Sequence, residues 1–595
     1  MTTDTKAQTK ENEVIVQAPP IEVPRIEVSL PTLGQRLRRE LNTLLLLIPI
    51  FAILFAYVFY PSFRVFIESL YRGGRLSLGN YGEFFNWRHP ANLQALRNSL
   101  YISLGSVIFS AMIGIPLAYL FTRFEFPGRS TFAALAILPL TLPPLLGVLS
   151  FMFLYGESGI LPRGLQVLLK LKQAPFSIDG VPAIFVVHAY SMYVHFYIFV
   201  SAALRGIDPS VHEAAYNLGA SRWFAFRRIT LPLLIPALVG ASLLVFMTSM
   251  ASFSAPFIFA SGYRVLSLQI YNSKLNGDWN MALTQTVILS LFSIMFLFMM
   301  RSYSARREYA MIGKGVGAQR AKIESRFWRW VAGGIGIVAV VLLILPHLTI
   351  ILISFVKDGT WTWQVLPPKY TIENYVKLFK DPTFLDPIKN SLKMASVATL
   401  GNFIFGIFAA YLLVKRKFWG KGLIDTLVMV PFALPGTVVA INLIITFNKA
   451  TIFSFNQVLV GTFWILPLAY FVRHIPLVVR MTVASLEQLD NSLEEAARNL
   501  GASWFYTFRR VVIPLVLPGV FAGTLLSFVT SLGEFVSSIL LYVYSNRPIS
   551  IEILSHLRQF NFGSAAAYSV FLIFIISAVL IFSSRVLRVG AERGE

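Results

Sequence analysis

The 595-residue sequence contains no cysteine and few charged residues, and both absences limit what the protein can be. Without cysteine, disulfides and thiolate chemistry are excluded. Charged residues make up only 13% of the chain, whereas hydrophobic residues make up 56%. Soluble domains usually carry about a quarter charged residues, so this balance predicts a membrane protein.

Residue patterns that carry enzyme chemistry are also lacking. A phosphate-binding loop needs Gly-x4-Gly-Lys followed by Ser or Thr, but Gly313-Lys314 and Gly420-Lys421 are each followed by Gly. No paired carboxylates, Ser-His-Asp set or cluster of metal ligands occurs at catalytic spacing, and the seven His are scattered. We therefore predict that this chain has no catalytic residue, no metal site and no cofactor of its own.

The sequence is rich in apolar runs that are long enough to cross a ~30 Å hydrocarbon core as helices. There are about twelve of them, at 42–60, 98–121, 131–154, 181–204, 231–260, 281–300, 329–355, 389–414, 423–447, 456–480, 513–543 and 564–584. The net charge of +22 comes largely from Lys and Arg in short connections between runs. This distribution keeps such connections in the cytoplasm. The charge thus reflects membrane topology rather than a nucleic-acid partner, and both termini are expected in the cytoplasm.

The two halves of the chain repeat each other. Asn98-Ser99-Leu100 recurs as Asn390-Ser391-Leu392, and other matches share this offset of 292 positions, which falls to 282 further along. Both halves place the repeated loops on the same side, so the pseudo-twofold axis runs along the membrane normal. The expected organisation is a disordered cytoplasmic tail at 1–40, a first six-span half at 41–300, a cytoplasmic linker at 301–328 and a second six-span half at 329–595.

The most similar segments of the two halves are loops, at residues 212–236 and 494–518, where 14 of 25 aligned positions are identical. Each loop predicts a short helix that an Asp caps and that a Gly ends in a left-handed turn. Paired alanines leave a smooth surface for a partner. The candidate docking residues are Glu213, Ala214, Ala215 and Gly219 in the first copy and Glu495, Ala496, Ala497 and Gly501 in the second. The alternative for each copy is an ordinary amphipathic surface helix.

The spacing E-A-A-x3-G-x9-I-x-L-P in these loops resembles the signature of permease subunits of binding-protein-dependent ABC importers. Residues 213–232 match every fixed position, and residues 495–514 depart from it only by Val511 and Ile513. The resemblance implies the type I importer fold: an all-α integral membrane protein with about twelve transmembrane helices in two parallel six-helix repeats. It also implies that each docking residue set lies on a coupling helix that inserts into an ATPase subunit.

The same resemblance implies the partners. Two copies of an ATP-binding subunit would bind ATP and Mg²⁺, and an external or periplasmic binding protein would deliver the substrate. The expected location is the bacterial cytoplasmic (inner) membrane, with many passes through the lipid. No enzyme activity is expected of this chain itself.

Prolines and one carboxylate mark a possible pathway through the membrane. Pro143 and Pro435 stand at matched places within the third and ninth runs, where a freed backbone carbonyl could face a wet cavity. Glu534 lies inside the eleventh run and could attract a cation, while its repeat partner is Ser252. The alternatives are plain packing kinks and a carboxylate at the outer interface. Arg473 is interpreted as an interfacial side chain near the inner end of the tenth span.

The substrate is less well determined by the sequence. The fused layout and the stretches at 142–156, 532–542 and 547–550 resemble ferric iron transport permeases most. Permeases for thiamine, polyamines, phosphonate or sulfate share the same fold and motif. Two other classes are an ion-gradient-driven secondary transporter, which would need more intramembrane charge than Glu534 supplies, and a channel, which would not need two identical loops.

Overall fold

The computed structural model describes residues 33–306, 321–361 and 364–592. The chain divides into two compact units, residues 1–45 and residues 46–595, and the second holds both repeats. Most of the expected tail and part of the expected linker, namely residues 1–32 and 307–320, lie outside the described residues. The first helix begins at Leu33, within the segment that we predicted as tail.

The described residues are almost entirely helical. The first half contains α1 Leu33–Leu54, α2 Tyr60–Ser69, α3 Gly79–Phe84, α4 Ala91–Arg123, α5 Arg129–Leu135, α6 Pro144–Tyr155, α7 Ile160–Leu168, α8 Gly180–Arg205, α9 Pro209–Asn217, α10 Arg222–Ala225, α11 Leu231–Met250, α12 Ser254–Phe259, α13 Leu266–Leu275 and α14 Trp279–Arg306. The second contains α15 Arg326–Ser354, α16 Glu373–Lys380, α17 Pro382–Lys415, α18 Lys421–Ala433, α19 Gly436–Phe447, α20 Ile465–Glu487, α21 Asn491–Asn499, α22 Trp504–Thr507, α23 Ile513–Leu532, α24 Ser538–Leu541, α25 Ile549–Arg558 and α26 Phe562–Glu592.

Other elements are short. Strands β1 Tyr71–Arg72 and β2 Arg75–Leu76 pair antiparallel, and β3 Phe124–Glu125 pairs parallel with β4 Ala321–Lys322. π-Helical turns occur at Phe55–Phe59, Phe226–Thr230 and Phe508–Val512, and 3₁₀ turns at Leu138–Thr141, Ile452–Ser454 and Tyr544–Asn546.

The expected number of membrane spans is confirmed. Within the described residues, eleven helices are long and apolar enough to cross a membrane, and the count becomes twelve if α18 and α19, which meet at 110°, form one span. The apolar run at 131–154 is not one continuous helix, because the chain breaks between α5 and α6 at Pro143. The tenth span begins at Ile465 rather than near 456, since an irregular loop and a 3₁₀ turn occupy the residues before it.

Small residues let the central helices of each half pack closely. A side chain at Gly114 would place its Cβ 2.5 Å from the carbonyl oxygen of Tyr193, and one at the equivalent Gly406 would lie 2.5 Å from Val478 Cγ1. Both positions therefore exclude any larger residue, so α4 approaches α8, and α17 approaches α20, at backbone distance. The same contact builds the core of both repeats.

The first membrane span of each half, which ends in α2 in the first half and is α15 in the second, packs against the other half. On α2, Ser62 accepts a hydrogen bond from Asn442 Nδ2 at 3.0 Å, and Arg64 Nη1 donates to the carbonyl of Thr446 at 3.2 Å, both on α19. On α15, the carbonyl of Leu343 accepts from the hydroxyl of Tyr190 on α8 at 2.9 Å. The two repeats are therefore interleaved rather than set side by side.

Candidate functional site

The two repeated loops fold in the same way. Each forms a nine-residue helix, α9 in the first half and α21 in the second. The side chain of Asp208 accepts a hydrogen bond from the Ser210 backbone N–H at 2.9 Å, and Asp490 does the same for Ser492 at 2.9 Å. Each cap satisfies one of the free N–H groups of the first turn, which fixes where the helix begins.

Both helices end in a Schellman turn at the predicted glycine. Gly219 and Gly501 each have φ of +82°. Ala220 N–H donates to the carbonyl of Ala215 at 3.0 Å, and Ala502 N–H donates in the same way at the second site. Apart from the glycine itself and its neighbours in the chain, no atom of the described residues lies within 4 Å of a Cβ built on either glycine. Backbone conformation rather than lack of space therefore requires glycine there.

The outer surface of each helix is open to a partner. Glu213 and Ala214 are exposed, as are Glu495 and Ala496, whereas the second alanine of each pair is partly buried. The sequence interpretation missed a matched pair of leucines, Leu218 and Leu500, which are 88% and 89% exposed. A large apolar side chain just before the glycine in both copies was the available signal. Two bare leucines at equivalent positions are typical of a protein-binding surface.

A π-helical turn connects each docking helix to the membrane. Phe226–Thr230 and Phe508–Val512 each contain five residues and carry the paired arginines of the repeated loop. Such turns are rare and occur often at functional sites. They lead directly into α11 and α23, so the chain runs from α9 and α21 through the short helices α10 and α22 and an irregular turn into these spans.

The docking helices are attached to their own halves by different chemistry. In the second half, Glu494 is buried and lies 3.3 Å from Lys415 Nζ, which also donates to Asn491 Oδ1 at 2.7 Å. In the first half, His212 takes the place of Glu494, and its Nε2 lies 2.8 Å from Thr230 Oγ1. Burial and the nearby Arg123 guanidinium hold the pKa of His212 below its usual value of 6.5. One helix is therefore held by an ion pair and the other by a neutral hydrogen bond.

Four helix breaks meet at one cavity between the halves. The breaks lie between α5 and α6, α11 and α12, α18 and α19, and α23 and α24. The cavity has a volume of about 370 Å³, and each break contributes to its wall through Leu142, Pro143 and Pro144; Ala251 and Ser254; Ala433 and Leu434; and Gly533 and Glu534. A Cβ at Gly533 would lie 2.9 Å from Pro143 Cβ, so the two halves touch here.

The other two pathway candidates lie beside this cavity. Pro435 caps α19 at the break itself, and Ser252 lies at the break after α11, but neither belongs to the wall as formed by the described residues. Ser252 Oγ lies 2.9 Å from His188 Nε2. The other ring nitrogen of His188 lies 2.8 Å from Ser106 Oγ and 3.2 Å from Ser249 Oγ. The first half thus has a neutral hydroxyl–imidazole network at this position.

The second half has an ion pair at the equivalent position. Arg473 Nη1 donates to Glu534 Oε1 at 2.7 Å, and the backbone N–H of Ser537 donates to the same oxygen at 2.9 Å. The interpretation of Arg473 as an interfacial residue near the inner end of its span was wrong. It lies about two turns into α20, which begins at Ile465, and it lines the cavity. Glu534 is therefore a neutralised carboxylate and not an isolated charge.

Comparisons with known proteins agree with this arrangement. The family model described as "Binding-protein-dependent transport system inner membrane component" matches residues 110–309 and again residues 402–593. The chain is 26% identical over 496 residues to the probable ABC transporter permease protein y4fN of Sinorhizobium fredii, covering 82% of this chain and 87% of that one.

Two further relatives cover most of the chain. The ferric transport system permease protein FbpB of Actinobacillus pleuropneumoniae is 27% identical over 548 residues, which is 90% of this chain and 77% of that one. The putative ferric transport system permease protein FbpB 1 of Haemophilus influenzae is 28% identical over 514 residues, which is 84% of this chain and 78% of that one.

Proposed function

The chain belongs to the family of binding-protein-dependent transport system inner membrane components, the permeases of ABC importers, and we propose that its cargo is ferric iron. The observation that carries the proposal is similarity to two ferric transport permeases over 84% or more of the chain. Relatives named for sulfate transport match only about a third of the chain, 34–36%. The match over both halves of the chain therefore favours ferric iron over sulfate as the cargo.

Two ATP-binding subunits are the proposed partners on one side of the membrane. Each would seat one docking helix, α9 or α21, and would contact Leu218 or Leu500 together with the neighbouring Glu-Ala-Ala surface. ATP and Mg²⁺ would be bound by those subunits. An external or periplasmic binding protein would release iron at the opposite end of the pathway. We place the docking helices and both termini on the cytoplasmic side of the bacterial inner membrane, because the connections on that side are rich in Lys and Arg.

The proposed mechanism is alternating access between two interleaved halves, residues 41–300 and 329–595, joined by a linker at 301–328. Closure of the ATP-bound subunits would draw α9 and α21 together. The π-turns would pass this motion into α11 and α23, whose broken ends line the cavity. Separation of Pro143 from Gly533 would open the cavity, and Glu534 and its neighbours would meet the cargo there.

Reconstitution tests the proposal. The permease would be placed in proteoliposomes with its ATPase and binding protein, and uptake of radioactive ferric iron would be measured with and without ATP. The expected result is uptake that needs both proteins and that excess thiamine, sulfate, phosphonate or polyamine does not reduce. Uptake driven by an ion gradient alone would contradict the importer mechanism, whereas ATP-driven uptake of one of the other solutes would contradict only the cargo.

Leucine variants test the docking sites separately. Leu218→Asp combined with Leu500→Asp should release the ATPase subunits, because each leucine buried at an interface contributes roughly 1.5–3 kcal/mol. Capture of the ATPase by immobilised permease measures this loss. Leu76→Asp is the matched control, since Leu76 is also exposed but lies in the β1–β2 hairpin, far along the chain from either loop. Full capture by the double variant would contradict the assigned docking surface.

A further inference from the structure

A second cavity, of about 470 Å³, lies mainly in the second half, and Tyr57 of the first half adds to its wall. It is a groove between α17 and α20, closed at one end by the loop that follows α19. Its walls include Gly401, Pro467, Leu468 and Phe471, and no charged side chain lines it within the described residues. The groove is separate from the central cavity, which lies on the other side of α20.

Two aromatic rings of the first half are replaced in the second half by a glycine and a proline, while one ring, Phe471, stands where the first half has Ala189 (471 minus 282). In the first half, Phe109 on α4 and Phe185 on α8 lie 5.1 Å apart between ring centroids and cover the seam between the helices, with Phe109 still 42% exposed. The repeat offsets align these residues with Gly401 and Pro467 (109 plus 292, and 185 plus 282). Phe471 packs against Gly401, with its ring 3.1 Å from a Cβ built there, and the rest of the space beside it is an open apolar slot.

The groove opens toward the bilayer. Ile108 on α4 and its equivalent Leu400 on α17 are 59% and 61% exposed, so both halves present the same helix face outward. Both helices are long apolar spans. In a membrane protein such a face contacts lipid chains, and the groove is continuous with it.

One end of the groove changes from apolar to polar. Ser454, Gln457 and the exposed Trp464 lie at the end formed by the loop. Trp side chains favour the level of the lipid headgroups. The loop itself is strained, because Phe455 and Asn456 are consecutive non-glycine residues with φ of +53° and +57°. Strain of this kind persists where the surrounding structure or a ligand requires it.

We propose that this groove is a binding site for one acyl chain of a membrane phospholipid, whose headgroup lies beside Trp464. The uncharged walls match a hydrocarbon chain, and the polar end matches the glycerol and headgroup region. The bound chain lies along the seam that Phe109 and Phe185 cover in the first half. Since Phe471 faces the groove and Arg473 faces the central cavity, the lipid supports the helix that carries the ion pair. This site goes beyond the transport function and does not depend on the cargo.

Photocrosslinking tests the proposal with the full-length chain in vesicles of phosphatidylethanolamine and phosphatidylglycerol. A small fraction of the phosphatidylglycerol carries a diazirine in one acyl chain, and labelled peptides are mapped by mass spectrometry. We expect labelling of residues 464–471 above the level at Ile108, which reports ordinary contact with the bilayer. Equal labelling at the two places would overturn the proposal.

Refilling the groove supplies the matched variants. Gly401→Phe and Pro467→Phe each restore a ring that the first half has, so each should reduce the enhanced labelling to the level at Ile108. Conversely, Phe109→Gly should create labelling near Phe185. Two refilling variants are used because one could fail to fold, and an unchanged thermal transition identifies those that fold. Enhanced labelling that survives in a folded refilled variant would overturn the site, and so would a polypeptide that copurifies with the wild type but not with Gly401→Phe.

Discussion

Replacing Glu534 with Gln should destabilise the protein, because it leaves the Arg473 guanidinium inside the protein without its counter-charge. The carboxylate side chain is 7% exposed and the guanidinium side chain 23% exposed, with 2.7 Å between Nη1 and Oε1. Removing one partner of a buried ion pair costs about 3–5 kcal/mol. Since Arg473 keeps some access to the cavity, the lower end of that range, about 3 kcal/mol, applies.

A double-mutant cycle distinguishes loss of the pair from loss of either side chain. Arg473→Gln should also destabilise, whereas the variant with both Gln substitutions should be more stable than the sum of the single effects predicts, by about 2 kcal/mol. Unfolding in mixed micelles with a rising fraction of denaturing detergent measures these differences. Glu373→Gln is the control, because its pair with Lys377 is largely exposed and should contribute only about 0.3–0.5 kcal/mol.

The reasoning fails if the two single effects simply add, to within about 0.5 kcal/mol. It fails equally if Glu534→Gln is as stable as the wild type. Either result would mean that water in the cavity already solvates the guanidinium, so that the carboxylate is available to a passing cation.

At the docking helices, Gly219→Ala and Gly501→Ala should each lower uptake per ATP hydrolysed, because the left-handed conformation costs Ala about 1–2 kcal/mol. Asn at the same positions should have a milder effect. Normal uptake in the Ala variants would contradict this prediction. Because the folded-state pKa of His212 is lowered, its stabilising effect is present above pH 6.5 and is lost as the pH falls below that value. The protection factor of the α9 amides, which is the intrinsic exchange rate at each pH divided by the observed rate, should therefore fall in acid, and His212→Gln should abolish the change. Lys415→Met should leave the buried Glu494 without its counter-charge and lower the free energy of unfolding by about 3 kcal/mol. Hydrogen exchange should report this loss in α21 and not in α9.

Local features of the docking helices could be predicted from the sequence. An Asp cap at one end and a Gly at the other act through bonds between neighbours in the chain, so Asp208 and Gly219 define the helix without knowledge of the rest of the fold. The broken span at Pro143 followed from the same kind of local rule. The occurrence of the same motif in both halves favoured a docking role over an ordinary surface helix.

Features that depend on distant contacts could not be predicted. Arg473 and Glu534 are 61 positions apart, and hydropathy gives no reason to join them, so Arg473 was placed at the membrane surface. The start of α20 was misjudged because residues 456–464 are apolar enough to resemble a span. The sequence repeats a leucine before the glycine in both copies, but the degree of its exposure depends on packing that a sequence pattern does not give.

The interleaving of the halves has a consequence for how the protein is made. Ser62 and Asn442 are 380 positions apart, and protein synthesis at about 5–20 residues per second separates them by roughly 20–80 s. During that interval α2 is already in the bilayer, while its partner α19 has not been synthesised. Within α2, Glu68 lies 2.9 Å from Arg64 and can offset the positive charge of Arg64. The first span to be synthesised is thus among the last to complete its contacts. A nascent chain that stops before α19 leaves α2 without its packing partner.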